Sequence, residues 1–171
     1  RDTADPTGDE PILLDGAVSF AWESPTWGGG IAFYDPDVDG TTYGRAYQLT
    51  LEQFADVASQ EMHREPSGDA LDLIALAATG SLELGPGRYE TLHVVGDIDE
   101  VPVVTFSSHP SDELRLNAPR PAYLTMMARG LVEAHGLDSL AIVEYLLTRP
   151  GCHPGWTRDD LADVVSAALS V

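Results

Sequence analysis

Glu61 is the residue whose type and placement suggest proton chemistry. It closes a helical stretch that follows the strand-like run Tyr43-Gly44-Arg45-Ala46-Tyr47-Gln48-Leu49. Thr50 is a good N-cap and Gln53, three residues on, completes a capping box, so the pattern predicts a helix from Leu51. At about 100° per residue, Leu51, Phe54, Ala55, Ala58 and Met62 share an apolar side, with Glu52, Gln53, Asp56 and Gln60 across from it. Glu61 falls beside Phe54, on the edge of the apolar side. A carboxylate held against apolar surface loses hydration, which disfavours its charged form and suits it to general acid/base work. The alternative is a helix-end glutamate that reaches solvent or an ion pair.

Two further stretches carry chemical possibilities. Thr26-Trp27-Gly28-Gly29-Gly30 places three glycines in succession before an apolar run. Bare backbone amides free to take positive φ suit close approach by a ligand, and equally a tight structural turn. Asp35-Pro36-Asp37-Val38-Asp39-Gly40 imitates the first half of a calcium loop, but the twelfth position, where a bidentate Glu belongs, is Ala46. A polar hairpin turn is the better reading of that stretch. The histidines at 63, 93, 109, 135 and 153 have no partners at zinc-site spacing apart from the adjacent Cys152-His153, which cannot readily chelate one ion, so no metal is expected. G-x-S-x-G, a P-loop and G-x-G-x-x-G after a strand are all missing from the sequence.

The elements that must position these residues are strands first and helices last. Residues 1–10 lack periodicity and read as a flexible lead-in. Strands are expected at Ala17–Trp22, Ile31–Tyr34, Tyr43–Leu49, Tyr89–Val95 and Val101–Phe106, the last two joined by a hairpin through Gly96–Glu100. The helix after Thr50 should stop between Met62 and Gly68, and a short helix is expected at Asp72–Ala78. Ser107–Asn117 reads as a polar connection. Helices follow at Pro121–His135, at Ser139–Thr148 behind the cap Asp138, and at Asp159–Leu169 behind Thr157. This order argues for an α+β layout rather than alternating βα units.

The 171 residues fit one domain, and 43% hydrophobic content is ordinary for a globular chain. A net charge of -19, from 28 acidic groups against 9 basic ones, disfavours nucleic acid and anionic membrane as partners. All the basic side chains are Arg, with no Lys. The single cysteine, Cys152, rules out an internal disulfide, which is compatible with a reducing compartment. With no bilayer-length apolar run, a cytoplasmic location is expected.

In combination, Thr26-Trp27-Gly28-Gly29-Gly30-Ile31-Ala32, then Tyr43-Gly44-Arg45-Ala46-Tyr47-Gln48-Leu49, then Gln60-Glu61 resemble the gamma-glutamylcyclotransferase family in order and spacing. Ala118-Pro119-Arg120-Pro121-Ala122-Tyr123, with Gly130 and Gly136-Leu137 following, resembles that family's Pro-Ser-x-x-Tyr helix entry. The chain is also similar to a group of actinobacterial proteins of this fold that carry a histone deacetylase label, although no His/Asp zinc ligand cluster can be assembled from it. The resemblance implies a small mixed β-barrel with flanking helices and no cofactor. It also implies a small-molecule γ-glutamyl substrate and Glu61 as the residue that moves protons. Substrate contacts are implied at Trp27, Gly28, Gly29, Gly30, Phe106 and Tyr123, where Phe106 takes a place often held by Tyr; the alternative for Phe106 and Tyr123 is a core role. Arg120 stands where the family has Ser. The family's N-terminal Tyr-Gly-Ser-Asn loop has no counterpart here, so the domain is expected to begin after it. A non-catalytic binding module of the same fold is the other reading.

Overall fold

The structure is a computed structural model that describes residues 4–64, 71–108 and 114–170. Among the described residues, seven strands and five helices follow one another as β1 (Gly8–Asp15), β2 (Ala17–Ala21), β3 (Ile31–Asp35), β4 (Thr41–Gln48), α1 (Leu51–Glu61), α2 (Leu73–Thr79), β5 (Ser81–Glu83), β6 (Thr91–Ile98), β7 (Val101–Ser107), α3 (Pro121–His135), α4 (Ser139–Leu147) and α5 (Arg158–Leu169). The α+β class is as expected, with small sheets early and helices at the end. A barrel is not formed by the described strands: they make separate sheets ordered β1-β4, β2-β3 and β5-β6-β7. The turn at 35–40 is accordingly not a hairpin, because β3 pairs with β2 while β4 pairs with β1. Asp35 Oδ1 instead accepts from the Asp37 amide at 2.9 Å, the local turn that aspartate favours.

The chain divides into two compact units, each assembled from separated segments: 1–15 with 44–112, and 16–43 with 113–171. In the first, β1 begins at Gly8, inside the stretch read as a lead-in. Pairing with β4 explains this: the Thr7 amide donates to the Gln48 carbonyl at 3.1 Å, and the backbone amides of the acidic stretch gain acceptors that its composition does not advertise. α1 starts where the capping box places it, with Thr50 accepting from the Gln53 amide and Gln53 Oε1 accepting from the Thr50 amide. Its buried face differs from the helical-wheel expectation. Gln53 is buried and Leu51 is 46% exposed. The Gln53 amide group tolerates burial because Nε2 also donates to the Ala4 carbonyl at 2.8 Å. Pro66 and Gly68, read as stop signals, lie outside the described residues.

Ala58 and Met62 of α1 pack with Leu76 of α2 and Leu92 of β6 in this unit's core. The short β5, absent from the sequence reading, pairs Leu82 with Leu92. The β6-β7 hairpin is tighter than expected: Ile98 pairs with Val101 across the two-residue turn Asp99-Glu100. Both turn residues have positive φ, 49° and 66°, the region that two-residue hairpin turns demand and that Asn-Gly fills most readily.

In the second unit, β2 and β3 pair antiparallel from Ala17↔Asp35 to Ala21↔Ile31. Its core joins Phe20 of β2 to Leu124 and Ala128 of α3, Ile142 and Leu146 of α4, and Leu161 and Val165 of α5. α4 and α5 carry the caps expected of them, Asp138 and Thr157. Cys152 is fully buried in the same core, and burial pushes its thiol up to about 11. Among the described residues no helix is long and apolar enough to cross a membrane.

Glu100→Gly is expected to stabilise the protein by about 1 kcal/mol, read from urea denaturation, because it relieves a left-handed conformation that a side chain resists. A thiol reagent at neutral pH should label Cys152 only as fast as the second unit opens, and labelling at the rate of a free thiol would show its burial to be wrong.

Candidate functional site

Glu61 is the last residue of α1 and is exposed. Of the two settings that the sequence left open, this is the helix-end glutamate that reaches solvent, and not a carboxylate dehydrated by apolar surface: the helix ends at this residue, and the next one, Met62, is the one that turns into the core. The chain then reverses through a C-terminal cap of Schellman type, in which the His63 amide donates to Gln60 at 3.0 Å and the Arg64 amide to Ser59 at 2.8 Å. His63 occupies the left-handed position, φ 54°, where glycine is usual. Arg64 continues the bracing. Its guanidinium pairs with Glu90 at 2.8 Å, while Glu90 also accepts from the Gly87 amide at 2.9 Å and is only 8% exposed. The pair at Arg64 and Glu90 could not be read from the sequence, where the two lie far apart without a shared motif.

Phe106 belongs to this same unit, on β7. It is half-buried, meets Tyr89 edge-on at 6.2 Å, and packs on the Leu76–Leu92 core.

The remaining candidates lie together in the second unit. Trp22 to Gly30 link β2 to β3 as a loop closed on itself: the Ser24 amide donates to the Gly29 carbonyl and the Gly28 amide to the Ser24 carbonyl, both at 2.9 Å. Ser24 Oγ accepts from the Trp27 amide at 3.1 Å. Trp27 stands 39% exposed with its ring 5.6 Å from that of Tyr123. Tyr123, half-buried on α3, accepts the Ala32 amide on its hydroxyl at 3.2 Å and meets Phe20 edge-on. Trp27, Gly28, Gly29, Gly30 and Tyr123 thus form one local cluster.

The glycine amides, however, are already used inside the protein. Gly28 donates to Ser24, Gly29 to Glu23 Oε1 at 3.3 Å, and Gly30 to the Ala118 carbonyl at 3.0 Å. Gly29 and Gly30 also allow close packing. A Cβ on Gly30 would stand 2.1 Å from the Asn117 carbonyl oxygen, and one on Gly29, with φ 65°, 2.5 Å from that of Ala118. The segment they meet is anchored in turn by the Trp156 indole N–H, which donates to the Pro119 carbonyl at 2.8 Å, and by Asn117 Nδ2, which donates to the Trp22 carbonyl at 2.6 Å. Neither Asn117 nor Trp156 stood out in the sequence, because each acts on a backbone carbonyl remote along the chain.

Among the described residues no group of three or more His, Cys, Asp or Glu side chains is arranged to hold a metal ion.

With this geometry in place, known proteins similar to the chain can be set beside it. A solved human protein described as uncharacterized is similar over 96% of this chain and 86% of its own, at 15% identity and a TM-score of 0.50. The two share a fold. Solved structures similar to the chain also include a gamma-glutamyl cyclotransferase, over the same shares, at 16% identity and a TM-score of 0.47, a likeness too loose to carry an argument. A curated relative named Histone deacetylase 5, from Arabidopsis thaliana, is 30% identical over 144 aligned residues, covering 72% of this chain. Its name agrees with the histone deacetylase label of the actinobacterial group. The chain spans only 22% of that relative's length. No family model matches the chain.

Gly30→Ala is expected to destabilise the protein by more than about 2 kcal/mol, since backbone blocks the added methyl. Tyr123→Phe should cost about 1–2 kcal/mol by removing the hydroxyl that accepts from the Ala32 amide. Thermal or denaturant unfolding of both variants checks the pair, and a neutral Gly30→Ala would contradict the close approach.

Proposed function

We propose that residues 1–171 form a single gamma-glutamylcyclotransferase-like domain that releases 5-oxoproline from a γ-glutamyl amide or amine. The observation that supports this most is the setting of Glu61, an accessible carboxylate on a helix end whose following turn is braced by the Arg64–Glu90 pair. It stands in the Gln60-Glu61 motif after the Tyr43–Leu49 run, in the order that the resemblance requires. In the proposed reaction the substrate's α-amine attacks its own γ-carbonyl. A C–N bond forms to close a five-membered ring, and the original amide C–N bond breaks to release the amine.

Glu61 takes a proton from the attacking nitrogen and returns it to the departing one, so the carboxylate is regenerated and no cofactor is called for. Intramolecular attack supplies much of the rate, because the reacting groups are tethered at the right ring size. Trp27, Gly28, Gly29, Gly30, Phe106 and Tyr123 are proposed as substrate contacts, with the indole of Trp27 as the most accessible of their aromatic surfaces.

A second reading, a non-catalytic module of the same fold that binds a small ligand or a protein, is favoured by one observation. The amides of Gly28, Gly29 and Gly30, which an oxyanion or a substrate would need, already donate to Ser24, Glu23 and Ala118.

Incubation of the full chain with a panel of γ-glutamyl amides and amines, read by 5-oxoproline release, separates the two. Glu61→Gln should lower release by roughly 10²–10⁴-fold without unfolding the protein. Absence of release from every panel member by the folded wild type would leave the binding module standing, and equal release by wild type and variant would move the proton chemistry away from Glu61.

A further inference from the structure

Arginine supplies all the side-chain cations here other than histidine, and most of those described are occupied. Arg45 pairs with Asp9, Arg64 with Glu90 and Arg158 with Glu144. Arg129 donates to the Ala168 carbonyl, Arg149 donates to that of Tyr145 and lies over its ring, and Arg115 lies over Trp22. The side chain of Arg120 makes no ion pair, hydrogen bond or ring contact with another described residue. In a chain of net charge -19, an exposed guanidinium engaged by neither a carboxylate, a carbonyl nor a ring stands apart from the six just described.

Its root is nevertheless held firmly. Arg120 precedes Pro121 at the start of α3 and does not cap the helix with its side chain. Pro119 before it is fully buried, bridges to Gly29 and is anchored through its carbonyl by Trp156. The Arg120 stem lies on the glycine loop, so that Cβ atoms added to Gly29 and Gly28 would meet its Cγ at 3.1 and 3.6 Å. The acidic side chain on that loop, Glu23, already accepts on both oxygens: the Gly29 amide on Oε1, and Asn117 Nδ2 on Oε2 at 3.1 Å. Trp27, on the same loop, exposes its indole.

We propose that Arg120 is the recognition point for a carboxylate on a small ligand that packs against the exposed indole of Trp27. A planar guanidinium grips a carboxylate with two parallel hydrogen bonds, and an anchored stem reduces the rotamer freedom lost on binding. Resting on the γ-glutamyl reading, the group held would be the substrate's α-carboxylate, and Arg120 would set specificity for it.

The test uses the full chain and two probes. Glutarate, a dicarboxylate without an amine to cyclise, is titrated calorimetrically against wild type, Arg120→Gln, Arg120→Lys and Trp27→Ala. The expected result is binding that weakens about tenfold in Arg120→Gln and less in Arg120→Lys, weakens in Trp27→Ala, and falls with added salt. With γ-glutamyl substrates, Arg120→Gln should raise KM about tenfold and leave kcat within about twofold. Circular dichroism of the variants establishes that they are folded. No heat from glutarate, or equal affinity in wild type and Arg120→Gln, overturns the proposal. Arg120-dependent glutarate binding without any 5-oxoproline release keeps this site and removes the enzyme reading. Release with an unchanged KM and a flat glutarate titration does the reverse.

Discussion

The second unit depends on a place where two backbones come closer than side chains permit. Gly29 and Gly30 lie against Asn117 to Arg120, with the Gly30 amide on the Ala118 carbonyl and Gly29 bridged to Pro119. A residue with a Cβ at Gly30 would have to occupy space already filled by a carbonyl oxygen. This seam joins the β2-β3 connection to the start of α3, and so fixes where Tyr123 leaves the helix to accept the Ala32 amide. Asn117 and Trp156 close it from either side with hydrogen bonds to the Trp22 and Pro119 carbonyls. The amides of the glycine triplet are thus held within the architecture of that corner, beside the exposed side chain of Trp27.

Much of this was legible in the sequence because the signals were local. Thr50 with Gln53, Asp138, Thr157, and Pro121 followed later by Gly136 each mark a helix end through hydrogen bonds or φ preferences that act within a few residues. β1 and β5 escaped because their stability comes from partner strands distant in sequence: acidic Gly8-Asp9-Glu10 and the brief Ser81-Leu82-Glu83 lack the apolar alternation that marks a strand alone. The split of β3 and β4 into different sheets was hidden for the same reason. The setting of Glu61 was left between two alternatives for a different reason. A helical wheel assigns faces as if the helix continued, whereas α1 stops at that residue and frees its side chain to leave the apolar side. The Trp27–Tyr123 cluster was legible as residue types, but the use of the glycine amides was not, because their acceptors, Glu23 apart, are carbonyls that carry no sequence signature.

The absence of lysine gives the arginines an unusual range of tasks. Arg64, Arg129 and Arg149 each direct a guanidinium to a main-chain carbonyl, at Leu84, Ala168 and Tyr145. A forked, planar cation can serve a carbonyl and at the same time lie on a ring or meet a carboxylate, as Arg149 and Arg64 do, whereas an ammonium offers a compact point charge. With so few cations among so many acids, each engaged arginine also neutralises a local excess of negative charge. Arg158 holds the Glu144 carboxyl below its ordinary range in this way, through their hydrogen bond, and ties α5 to α4.

The division of the chain bears on how this protein can be inherited. The polypeptide passes between its two units after Asp15, after Tyr43 and after Asp112, and β4 begins in one and ends in the other. No uninterrupted run of codons encodes either unit complete. Recombination that moved one of them would need several coordinated breakpoints, one of them inside a paired strand. The two therefore travel as a single heritable block, and selection on the corner at Trp27 and selection on the helix end at Glu61 act on the same indivisible length of gene.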